Sequence, residues 1–464
     1  MTNNHRPAFN KRVIIKRVIE AVVLGILGVL SFQNTSFAAG ITTGITPNTQ
    51  TLTSGPLQDI SCVSSGNCVA VGIQTNAHHQ KAAFVLSEIA GTWGSSQSLV
   101  GAAGNATSAH IACSSASNCV VVELVANAHH QTQLFDATEA NATWTAVRRV
   151  PGIPNSVSVV NVNLACTTNG NCAIAGTYSA TNSFATVSTG VAPATPFGVV
   201  ESNGVFHPAQ RVAANLGSAF AISVGLACPT TGHCVVTGYY YSHANPSAQA
   251  FILSETNASW SPAHRVATNL MNSEPQSVAC STSGNCAIGG TYTTPSGQSA
   301  SFVTSSVNGT WRPAQRVGAN VNNANVSALA CAPARPSSCV IVGHYFGNGA
   351  NPFQVFAATS AGASWTSARS IGAINALSAQ LSCPSIGNCV MVGTALNSYS
   401  QDQVFAIVQT DGVWGSVVNV TGSLSASSST VTGLSCSSDN SCAVIGTYKD
   451  SSGTSRAFAV TIGS

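Results

Sequence analysis

Between residues 277 and 317, apolar and polar positions alternate in short runs broken by turn formers. Residues 277–280, 286–292 and 300–304 favour β-structure. The polar stretch 281–285 and the signals Pro295 and Gly297 separate them, and Asn308-Gly309 turns the chain into Thr310-Trp311 and on to Arg316-Val317. Four such runs predict four strands, A to D, joined by tight connections. No stretch beyond residue 40 shows a capped 3.6-residue period, so helices should be scarce.

The pattern recurs eight times. A cysteine pair marks each copy: Cys62/Cys68, Cys113/Cys119, Cys166/Cys172, Cys228/Cys234, Cys280/Cys286, Cys331/Cys339, Cys383/Cys389 and Cys436/Cys442. Five residues separate the partners everywhere except Cys331/Cys339, where there are seven, and the pairs use all 16 cysteines. Successive first cysteines lie 51, 53, 62, 52, 51, 52 and 53 residues apart. A fixed period of about 50 residues marks a propeller, solenoid or array.

Each cysteine pair brackets the A–B turn. Facing residues of a non-hydrogen-bonded antiparallel pair lie about 4.5 Å apart at Cα, inside disulfide range. One bond per repeat is therefore expected, each stabilising by about 2 kcal/mol on the chain-entropy account. Their expected benefit is local, at a hairpin tip that few apolar side chains protect. Zinc sites use shorter spacers and a second half-site, which this spacing lacks.

Strand D carries a large ring at Trp93, Trp144, Phe206, Trp260, Trp311, Trp365 and Trp414, which makes seven for eight repeats. The eighth repeat stops after Phe458-Ala459-Val460. Residues 44–52 align with residues 309–317, so an N-terminal strand (43–52) supplies the missing piece. Closure removes exposed strand edges, whereas an open solenoid needs capping repeats. The expected fold is all-β: a β-propeller of eight four-stranded blades, with seven as the alternative count. One disulfide is expected per blade, and repeats begin near 57, 108, 161, 223, 275, 326, 378 and 431.

Composition adds the compartment. Arg6, Lys11, Arg12, Lys16 and Arg17 precede the apolar run 21–30, and Ser36-Phe37-Ala38 offers the small residues of a cleavage site. Residues 1–38 thus read as a signal peptide and 39–464 as one propeller domain. The apolar run falls short of the about 20 residues a membrane span needs. Export places the cysteines where disulfides persist, outside the cell or in the periplasm. Charged residues make up 6% of the chain and net charge is +3, which gives nucleic acid no basic footprint. No membrane association beyond the signal segment is expected, and the chain reads as a monomer.

Two resemblances follow from these motifs. The segment Ser61-Cys62-Val63-Ser64-Ser65-Gly66-Asn67-Cys68-Val69-Ala70-Val71-Gly72, followed by Gly91-Thr92-Trp93, resembles a repeat of secreted bacterial β-propellers of undetermined function. Residues 87–93 and 254–260 resemble the Asp-box turn of sialidase-type propellers, although Ile89 and Thr256 stand where that box has Asp. In both families the resemblance implies a structural role for the turn and no activity.

A sialidase-like centre would need an arginine triad, a Tyr–Glu pair and an acid. Arg149, Arg211, Arg265 and Arg316 each follow the strand-D ring by five residues, which marks a repeat-level role at outer edges. Most of the sparse acidic residues fall at C–D or A–B turns rather than converging, so no paired carboxylates are nominated. His78, His79, His129 and His130 recur in two Asn-Ala-His-His-Gln loops and offer imidazoles to a metal. Adjacent residues of an extended segment point to opposite sides, which argues against shared chelation, and no cofactor is assigned. Tyr178, Tyr240, Tyr292, Tyr345 and Tyr448 each follow a strand-B glycine by two residues. They offer either an aromatic rim for a ligand or packing between blades. B–C loops differ most between repeats, including extra residues near 190–196. That face is the expected site of a glycan, surface-polymer or protein ligand. The expected function is non-catalytic binding or adhesion, and the rival is a sialidase-like hydrolase or lyase working on the central face.

Overall fold

The computed structural model describes residues 48–462, apart from 53, 77–78, 100–104, 168–169, 181–192, 203, 218–219, 243–244, 318–321, 334–337, 348–352, 362–363, 423, 425–427 and 438–440. Residues 1–38, read above as a signal peptide, His78 and residues 190–192 of the repeat-three insertion lie outside the described residues. All described residues belong to the unit Gly40–Ser464.

The protein is all-β, and among the described residues the helical content is one 3-10 turn, Ala214–Leu216. In repeat one, strand A is Leu57–Ser64, strand B Asn67–Thr75 and strand C Lys81–Ile89, each antiparallel to the next. Strand D is not continuous. It touches strand C twice, through Thr92–Trp93 and Gln97–Ser98, with a break between. Repeats two to seven repeat this plan, and a single parallel bridge from Ala194 to Phe220 joins repeats three and four. In repeat eight the fourth strand is Asn48–Leu52, which lies antiparallel to Ser455–Ile462 with Gln50 opposite Ala459.

Each sheet buries its faces against its neighbours. Val71 and Val85 of repeat one pack with Ile111 and Val121 of repeat two, and Val122 and Leu134 pack with Ile174 and Phe197 of repeat three. Leu57 and Ile60 of repeat one share a cluster with Ala443 and Ile445 of repeat eight. A succession of four-stranded antiparallel meanders packed sheet on sheet is a β-propeller architecture.

One pairing recurs inside the sheets. A strand-B glycine faces a strand-C phenylalanine at Gly72/Phe84, Gly176/Phe197, Gly238/Phe251, Gly290/Phe302, Gly343/Phe356, Gly393/Phe405 and Gly446/Phe458. A Cβ on any of these glycines would lie 2.5–2.8 Å from a ring carbon and would press on a carbonyl in or just before strand A from the other side. The absent side chain is what lets each ring lie flat on the strand, and all seven rings are buried. Repeat two departs from the rule. Glu123 occupies the glycine position opposite Phe135, and Phe135 is only half-buried.

Candidate functional site

The ends of the strands that carry the disulfides are built alike in most repeats. Each cysteine pair faces across the A–B hairpin with Cα atoms 3.9–4.1 Å apart, and no free cysteine is left. The expected pairing holds, but the expectation of a poorly protected tip needs correction. The strand-B partner of every bond is buried: Cys68, Cys119, Cys172, Cys234, Cys286, Cys339, Cys389 and Cys442. Cys119 packs in one core with Ile111 and Val121, and Cys442 in another with Val444 and Val460. Cys234 sits across from the buried Glu255 of strand C. Strand B is the inner strand of each hairpin, covered by A on one side and C on the other, so its cysteine joins the core. Each bond staples its own A–B hairpin.

The C–D turn then clips onto the A–B turn. Gly91, Asn257, Gly309 and Gly412 donate their N–H to the carbonyls of Gly66, Gly232, Gly284 and Gly387 at 2.7–3.2 Å. Eight disulfides belong to an oxidising compartment, and no helix among the described residues is long and apolar enough to cross a membrane.

The acidic residues lie beneath these tips. Opposite the second cysteine or next to it, strand C places Glu88, Glu139, Glu201 and Glu255, all buried. Glu201 accepts the Cys172 N–H at 3.2 Å, and Glu255 accepts the Ala258 N–H at 2.5 Å. Ser306 and Ser360 do the same work in repeats five and six, taking the N–H of Cys286 and Cys339 at 2.9 and 2.7 Å. Burial raises the carboxyl pKa of Glu88, Glu139 and Glu201. Asp136 is raised by burial too, against the pull of Arg148, whose Nε donates to it at 2.9 Å. Glu201, Glu255 and Asp136 tie turns and strands together, and the buried carboxylates do not converge as an exposed acid and base.

The arginines are dispersed in the same way. Arg149 donates to Gln133 Oε1 at 2.7 Å and to the Ile153 carbonyl, while Arg316 lies over the Tyr292 ring at 5.5 Å. Arg211 and Arg265 are exposed. His79, His129 and His130 sit exposed in the B–C turns, and among the described residues no group of three or more metal-ligating side chains assembles.

The tyrosines are placed by the phenylalanines. Tyr178, Tyr240, Tyr345 and Tyr448 lie 6.0–6.5 Å, centroid to centroid, from Phe197, Phe251, Phe356 and Phe458. Tyr292 shares a core with Phe302. Tyr240, Tyr292, Tyr345 and Tyr448 are buried and Tyr178 is half-buried. The hydroxyls of Tyr240 and Tyr345 donate to Gln249 and Gln354 Oε1 at 3.1 and 2.6 Å. In this arrangement Tyr240, Tyr292, Tyr345 and Tyr448 are packed in the interior, while Tyr178 keeps part of its side chain accessible.

A cleft of about 800 Å³ lies elsewhere, within the usual size range of small-molecule sites. It opens between repeats six and seven at the disulfide end of the sheets, opposite the B–C loops. Arg369, Ile386, Gln409, Asp411, Val413 and Trp414 line it. The sequence carried faint marks of it: the Cys331/Cys339 hairpin is longer than the rest, and Gln409 stands where repeats one to six place Glu or Ser.

No protein-family model matches the sequence, and no curated protein is significantly similar to it. Solved structures resemble the fold distantly. The protein YCF48, solved bound to a D1 peptide, is 11% identical over 90% of this chain and 95% of that one, with a TM-score of 0.42. A PL25 ulvan lyase is 8% identical over 78% and 95%, with a TM-score of 0.45. The NanB sialidase from Streptococcus pneumoniae is 10% identical over 78% and 68%, with a TM-score of 0.41. At these values none of them assigns a role to this chain.

Proposed function

We propose that the eight repeats close into an eight-bladed ring, exported by the N-terminal segment, that serves as a non-catalytic module binding glycan, surface polymer or protein. The observation that carries this reading is the employment of the carboxylates. Asp136, Glu201 and Glu255 are buried and committed to Arg148, Cys172 and Ala258, so they hold the scaffold rather than face solvent as a catalytic pair. Ring closure is supported by the pairing of Asn48–Leu52 with Ser455–Ile462 and by the core that Leu57 and Ile60 share with Ala443 and Ile445. A rigid ring with variable loops suits recognition.

The test is an array of bacterial, plant and animal polysaccharides and surface proteins probed with residues 39–464. Saturable binding to a narrow subset is expected. Uniform background across the array would contradict the proposal.

A further inference from the structure

The cleft between repeats six and seven holds polar groups that the protein itself leaves unmatched. Gln409 is 3% exposed; its amide N–H donates to the Gly412 carbonyl at 3.3 Å, and its Oε1 meets no donor. A buried acceptor without a partner is costly, and a ligand hydroxyl would relieve it. Arg369, exposed to solvent, is the second group in the cleft without a protein partner. The corresponding residue of repeat two, Arg148, finds Asp136 opposite it on strand C, but Arg369 faces Ala357. The ion pairs among the described residues join Arg148 to Asp136 and Arg456 to Asp450, and neither they nor the His110–Asp59 contact includes Arg369.

Around these two groups stand the exposed carboxylate of Asp411 and the half-buried indole of Trp414, with Ile386 and Val413 as exposed apolar neighbours. An indole suits the C–H face of a pyranose, an amide oxygen and a carboxylate accept from hydroxyls, and a guanidinium donates to them. One cation and one anion leave these six residues without net charge, which favours a neutral sugar over a uronate. A peptide strand would instead ask for a free sheet edge. We propose that this cleft is a binding site for a neutral oligosaccharide, with Trp414 as the stacking surface and Arg369, Gln409 and Asp411 as the polar contacts. The inference rests on the binding-module reading and gives it a place and a ligand class.

Calorimetric titration with cellohexaose, chitohexaose and mannohexaose tests it, alongside an immobilised random-peptide library. Saturable binding of at least one sugar is expected. Arg369→Ala and Asp411→Asn, both at exposed positions that leave the melting temperature unchanged, should each weaken it about tenfold. Trp414→Ala should abolish it, while Tyr399→Ala, exposed in a B–C turn at the opposite end, should leave it intact. A sugar bound equally well by Arg369→Ala and Asp411→Asn would overturn the cleft assignment and leave the binding-module reading standing. Binding of peptides but of no sugar would overturn the saccharide class alone. Binding of neither would overturn both.

Discussion

The backbone N–H of Cys62 donates to Ser435 Oγ at 2.9 Å across 373 residues of sequence. The Cys113 N–H makes the same bond to Ser61 Oγ at 3.0 Å. In both, a serine before the first cysteine of one repeat receives the first cysteine N–H of the next. Repeat eight thus stands toward repeat one as repeat one stands toward repeat two. If that equivalence is a ring contact, Ser435→Ala and Ser61→Ala should each cost roughly 1 kcal/mol in urea unfolding. A neutral Ser435→Ala beside a costly Ser61→Ala would separate the two junctions.

Removing residues 39–55 takes away the strand paired with Ser455–Ile462 and leaves an open edge over Phe458 and Ala459. The truncated chain should melt several degrees lower and aggregate on heating. An unchanged melting temperature would show that Asn48–Leu52 contributes nothing to closure.

Glu123 gives a pH signature. Burial pushes its carboxyl from 4.5 up to about 7, with the Ala83 N–H opposing. The folded chain therefore holds a proton that the unfolded chain releases. The stability this contributes is fully present below about 4.5 and is lost as pH rises through about 7, a change on the order of 3 kcal/mol. Glu88, Glu139 and Glu201 are raised as well, so the readout is wild type minus Glu123→Gln. That difference should change between pH 4.5 and 7 and flatten above 8. Glu123→Gly should also stabilise at pH 8, by letting Phe135 settle on the strand as the other seven phenylalanines do.

Arg148 offsets a carboxylate that is 1% exposed. Arg148→Ala leaves Asp136 buried without a counter-charge and should cost about 2–4 kcal/mol, after allowing for the half-exposed guanidinium. The double variant Asp136→Ala/Arg148→Ala should recover most of that loss in denaturant titration. No recovery would mean the pair acts through packing.

The disulfides were legible because a fixed spacing across a hairpin leaves cysteines little choice of partner, and the lengthened Cys331/Cys339 hairpin still closes at 3.9 Å. Their burial was not, because Cys119 and Cys442 are covered by residues of the neighbouring sheet as well as by their own hairpins. The strand-D role of Leu52 was legible because its segment copies the register of residues 309–317. The tyrosines show where such reading stops. Tyr240 sits two residues after Gly238 on strand B, but what buries it is Phe251, supplied by strand C across a loop whose length differs between repeats. The cleft is harder still to foresee. Gln409 and Trp414 belong to one repeat and Arg369 to another, and only the spacing of two packed sheets brings them together. The Phe84-type rings explain why glycine recurs on strand B, and Glu123 shows what replacing it displaces.

The central claim, that this propeller binds without turning its ligand over, is tested most directly by mass-resolved recovery. The protein comprising residues 39–464 would be held at saturation with the saccharide it retains most tightly, and the released sugar weighed after a day. The account predicts full recovery of the ligand at its original mass. Shortened or unsaturated products that disappear with the protein omitted would contradict it.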